Sequence, residues 1–140
     1  MKILYHLTKL SNIPSILIQG LRVNSGIMGY QGFLDGSWVR KSYHEKYDMQ
    51  PVFLTKDIKL IIESQLTSNF IKSNKIVCLS VDVDNLPVEA EYDYIEKRWF
   101  LYYKSYEDMK DNLKNEVTLD TTFICRQNIP KKRILGMECI

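Results

Sequence analysis

Apolar and polar positions along this chain fall into short blocks whose period changes several times. Ile3, Leu4 and Tyr5 form a strand-like run. Ser11 or Asn12 can then cap a helix, with Pro14 tolerated in its first turn because a proline lacks only an N–H that would be unpaired there anyway. Ile13, Ile16 and Leu17 share one face of that helix, and Gly20 closes it. "PVFLT", residues 51 to 55, reads as a second short strand. Asp57 is a candidate cap for a following helix, on which Ile58, Ile61, Ile62, Leu66 and Phe70 form a stripe. "KIVCLSVDVDNL" is β-branched and apolar, and reads as a central strand with Val77, Leu79, Val81 and Val83 on one face.

Between these blocks the periodicity fails. Residues 22 to 50 hold every remaining glycine except Gly136, mix aromatics with basic residues, and keep neither a period of 2 nor of 3.6. They read as a long ordered loop, since Tyr30, Phe33, Trp38, Tyr43 and Tyr47 argue against disorder and loops of that length in compact domains are usually functional. Residues 92 to 116 alternate tyrosine and charge, and are expected to be partly helical after residue 105 and to lie across the sheet edge. "TFICRQNI" and "RILGMECI" close the chain as two strands, with Pro130 marking the turn between them. No repeat, linker or low-complexity stretch interrupts the pattern, so residues 1–140 are expected to form a single α+β domain.

Composition adds little beyond this. Hydrophobic residues are 45% and charged residues 26%, ordinary for a globular domain. A net charge of +2 creates no field that would draw the chain to nucleic acid or an anionic membrane. Cys78, Cys125 and Cys139 each sit in an apolar run and lack metal spacing, so they are expected to be buried thiols of a reducing compartment. No signal peptide is evident at "MKILYHLTKL" and no run reaches the roughly 20 apolar residues of a membrane span, which points to the cytoplasm and to no membrane partner.

The chain has no nucleotide-binding glycine motif, no Walker loop, no nucleophile elbow and no zincin helix. With two histidines, His6 and His44, a multi-histidine metal centre is excluded. His6 follows an apolar strand. Pattern alone leaves two readings open: a half-buried ring satisfied by backbone, or a side chain presented to a ligand at a strand end.

"LYHLTKLSNIPSILIQGL" resembles the first motif of the ADP-ribosyltransferase-like superfamily, in particular the DarT-type DNA ADP-ribosyltransferases and the RNA 2'-phosphotransferases, through Tyr5, His6, Thr8, Ile16, Leu17, Gly20 and Leu21. The resemblance continues in order through "VFLTKD", "VCLSVDVDNL" and "NIPKKRI". It implies a mixed or antiparallel split β-sheet with flanking helices, NAD as co-substrate, and transfer of ADP-ribose to a nucleic acid or protein acceptor with release of nicotinamide. In that frame His6 contacts the NAD ribose and nicotinamide side, and Thr8 shapes the adjacent loop. Phe53 stands where other branches carry histidine or tyrosine, and can stack on nicotinamide without hydrogen bonding. Thr55 stands at a family serine, Arg22 or Arg40 would hold the pyrophosphate, and Glu116, ahead of Asp120, would stabilise the developing positive charge on ribose. Phe53 and the irregular spacing of Glu116 also admit a catalytically inactive nucleotide-binding or inhibitor module. An RNA 2'-phosphotransferase is a third reading, for which further basic residues cannot be placed. Arg40, Lys41 and Lys46 among the loop aromatics would alternatively suit a single-stranded nucleic acid.

Overall fold

Among the described residues every strand pairs antiparallel, in a six-stranded sheet ordered β4-β5-β2-β1-β3-β6. The computed structural model describes residues 1–23, 51–64, 75–116 and 119–140. The strands are β1 (Ile3–Lys9), β2 (Val52–Thr55), β3 (Ile76–Asp82), β4 (Val88–Ala90), β5 (Thr122–Cys125) and β6 (Ile134–Cys139). The helices are α1 (Ile13–Gln19), α2 (Ile58–Ser64), α3 (Glu91–Glu96), α4 (Trp99–Tyr102) and α5 (Tyr106–Leu113). Helices on an antiparallel sheet make this an α+β architecture, as the blocks of changing period predict.

Local chemistry sets most boundaries. Asn12 occupies the N-cap of α1, but its amide donates to Thr8 Oγ1 at 3.0 Å and caps no N–H of the helix. Gly20 ends α1 at φ 78°, ψ −166°, a region reserved in practice for glycine, and an added Cβ would collide with the Ile129 carbonyl. That close approach lets Leu21 and Ile129 exchange backbone hydrogen bonds of 2.9 and 2.8 Å. Asp57 caps α2 as expected, its Oδ1 accepting from the Leu60 N–H at 2.9 Å. Ser105 caps α5 through the Asp108 N–H at 3.0 Å. After β3 the chain turns at Asp82–Leu86, where Asn85 adopts φ 63°.

Two apolar clusters cover the two faces of the sheet. Leu4, Val52, Leu54, Val77, Leu79, Val81 and Cys125 point to one face and pack with Ile13 and Ile16 of α1 and with Ile129. Ile76 and Ile124 point to the other, where Tyr94, Ile95, Met109 and Leu113 of α3 and α5 cover them. The strand alternation read from "VCLSVDV" is therefore correct, since Val77, Leu79, Val81 and Val83 all join one cluster.

Two expectations are corrected and one is extended. Helix follows residue 105 as expected, in α5, and also begins earlier, at Glu91, because Tyr94 and Ile95 bury completely on the sheet and recruit the charged stretch around them. The two closing strands are not neighbours: β5 lies between β4 and β2, whereas β6 flanks β3, so the segment around Pro130 crosses the sheet. Cys78 and Cys125 are buried but Cys139 is exposed, because it lies on an edge strand.

Candidate functional site

β1 carries the candidate residues and is held very differently on its two sides. Against β3 it pairs continuously, from Ile3 opposite Asp82 to Lys9 opposite Ile76. Against β2 it makes one registered pair, Tyr5 with Thr55. The sheet therefore consists of two three-stranded halves, β4-β5-β2 and β1-β3-β6, that meet at a sparse seam. His6 sits at this seam, and its Nδ1 lies 2.8 Å from the Phe53 carbonyl of β2.

A carbonyl only accepts, so Nδ1 of His6 carries the proton and donates, and the neutral ring presents Nε2 as an acceptor. Burial lowers the imidazole pKa from its usual 6.5, and the bond to Phe53 opposes that shift without cancelling it. The residue as a whole is half-buried, while its imidazole is desolvated. At neutral pH the seam therefore holds a neutral, oriented hydrogen-bond acceptor whose position is set by β2.

Other candidates fall into distinct places. Strand alternation puts His6 and Thr8 on the face of Leu4, with Leu79 and Val77 as their β3 partners. Thr8 is buried and accepts from Asn12, which fixes the turn leading into α1. Phe53 packs against the cluster on the opposite face, so its ring does not join His6 on one side of the sheet; its backbone carbonyl does. Thr55 is buried, and its hydroxyl accepts from the Asp57 N–H at 3.0 Å and faces the Asp57 and Thr121 carbonyls at 3.2 and 3.1 Å. That hydroxyl is engaged in closing the strand end.

Arg22 is exposed just after the Leu21–Ile129 pair, its Nη1 donating to Gln19 Oε1 at 3.2 Å. Glu116 is half-buried in the turn that follows α5, ahead of β5. Asp120 is exposed. Arg40, Lys41, Lys46 and His44 lie outside the described residues, as do Leu66 and Phe70 of the expected helical stripe. Among the described residues no three His, Cys, Asp or Glu side chains gather to hold a metal, and no helix is long and apolar enough to cross a membrane. Burial pushes the Cys78 thiol up to about 11 and raises that of Cys125, so neither is a thiolate nucleophile at neutral pH.

One polar group escapes the sequence reading. Glu91, the first residue of α3, is wholly buried, and Thr122 Oγ1 donates to its Oε1 at 2.6 Å. Its setting in "VEAEYDYIEK" reads as a solvated, alternating-charge surface. Only the burial of Tyr94 and Ile95 beside it, invisible without the fold, carries it inward.

No family model matches the sequence, and no curated protein matches it. Among solved structures the chain is similar to one named EcPltA, with a TM-score of 0.55 and 13% identity over 98% of this chain and 74% of that one, a likeness that speaks for the fold alone.

Proposed function

We propose that this domain is an NAD-dependent ADP-ribosyltransferase acting at the seam between β1 and β2. The observation that carries the reading is His6, the histidine of the Tyr5-His6-x-Thr8 motif: neutral, half-buried and oriented by a backbone carbonyl where the two sheet halves meet. Nε2 of such a ring accepts a hydrogen bond from a ribose hydroxyl without any change of charge. In the reaction the bond between nicotinamide nitrogen and the ribose anomeric carbon breaks, its electron pair leaving with nicotinamide. The acceptor's nucleophilic oxygen or nitrogen bonds to that carbon and gives its proton to solvent. In this reading Phe53 contributes through its carbonyl, Thr8 holds the turn into α1, Arg22 would hold a phosphate, and Glu116 would stabilise the developing charge.

Incubating the protein with NAD and candidate nucleic acid or protein acceptors tests this by nicotinamide release. His6→Ala should lower release at least tenfold while circular dichroism stays unchanged. No release from the unmodified protein with any acceptor overturns the transferase reading.

A second reading has its own support. β5 is Thr122-Phe123-Ile124-Cys125 and carries no carboxylate, and Glu116 lies in a turn outside the sheet. A nucleotide-binding module without turnover fits those facts. Calorimetry separates the two, because ADP-ribose or NAD would bind with heat while nicotinamide stays bound to ribose.

A further inference from the structure

The two edges of the sheet are built on opposite principles. Strand edges expose unpaired N–H and C=O groups, and proteins that stay monomeric shorten, charge or interrupt them. β4 shows all three devices. It is three residues long, Pro87 precedes it, and Glu89 on it draws Lys97, Arg98 and Arg126 to within 3.7, 3.9 and 3.8 Å.

β6 is guarded more lightly, by one carboxylate, Glu138, and a bulge at its start. It runs six residues without lysine, arginine or proline, and only its inner side is paired among the described residues. Leu135 and Met137 are 49% and 48% exposed, and Cys139 is exposed beside them. A bulge opposite Ser80 and Val81 bends the strand at its start, after which Gly136–Cys139 runs straight along β3. Among the described residues nothing beyond its chain neighbours stands within 4 Å of where a Gly136 side chain would begin.

We propose that the outer edge of β6 is the seat of a second copy of this chain, whose own β6 runs antiparallel about Met137. The strand is its own complement in that register. Met137 meets Met137, Leu135 meets Cys139, and each Glu138 lies opposite the open space over Gly136. The next register, centred on Glu138, would oppose two carboxylates directly and is disfavoured. Glu138 is the strand's single charge, so a strongly charged partner strand has little to recognise. Pairing of this length buries less than the roughly 1,200 Å² typical of stable complexes, so the dimer should be weak and concentration-dependent.

Sedimentation velocity across a wide concentration range reads this directly: the sedimentation coefficient should rise toward that of a dimer. Met137→Lys, at a half-exposed position, should keep the melting curve and abolish the rise. Under mild copper-catalysed oxidation in a Cys139→Ser background, Met137→Cys should cross-link to a disulfide dimer much faster than a control cysteine at exposed Glu63. A monomer at every concentration, association that survives Met137→Lys, or cross-linking no faster than at Glu63 each overturns the proposal.

Discussion

One strand, β1, has a closed side and an open side. Along β3 its backbone is registered from end to end, and Leu79 and Val81 beneath that seam are wholly buried. Along β2 it is registered once, and a side chain, His6, takes up a carbonyl that a regular ladder would give to a backbone N–H. Closed seams resist solvent, whereas open ones leave polar groups accessible and oriented.

The largest expected effect breaks the closed side. Leu79→Ala deletes a wholly buried side chain opposite His6 and should cost about 2–5 kcal/mol in chemical denaturation. A loss well under 1 kcal/mol would mean that this seam does not anchor the sheet.

Next comes the open side. His6→Ala removes the imidazole from the Phe53 carbonyl and should cost roughly 1–3 kcal/mol. A stability cost smaller than that of Leu79→Ala, together with loss of nicotinamide release, would mark His6 as a residue of function more than of structure.

A smaller effect is readable with pH. The folded state resists protonating His6 while the unfolded chain takes its proton near 6.5, so the unfolded state binds more protons in that range. Stability contributed by the neutral ring is full above 6.5 and declines as pH falls toward the depressed native value. Subtracting the curve of His6→Gln from that of the unaltered protein should isolate a decline beginning near 6.5. A flat difference would mean that the ring is not desolvated.

Last, Asp57→Ala removes the α2 cap immediately beyond β2 and should cost about 1 kcal/mol without altering nucleotide binding. Altered binding would extend the site past the end of the strand.

The elements that sequence predicts well are those whose own residues settle the matter. Asp57 caps because a short carboxylate reaches back to an N–H three residues on, and Gly20 stops α1 because no side chain tolerates its backbone angles. β3 opens as a continuous apolar run, Ile76 to Leu79, because both faces are covered there, and alternates beyond it because only the face of Val81 stays fully buried. What is hidden depends on distant partners. β4 is three residues beside Pro87, too short to declare a period, and exists because β5 supplies its ladder. Glu91 looks solvated until Thr122 is brought to it. For the candidate site the motif singles out His6 and Phe53 but not their arrangement, since the side of the sheet that Phe53 faces is a matter of register, set by β5 and β1 together.

The Leu21–Ile129 pair joins residues from nearly opposite ends of the described chain. A contact so distant in sequence carries a large loop-closure cost and tends to form late. During synthesis α1 would emerge first and wait, undocked on this side, until residue 129 had left the ribosome. Nascent chains that stop short of residue 129 should therefore leave α1 open to proteases, and those that expose residue 129 should acquire resistance.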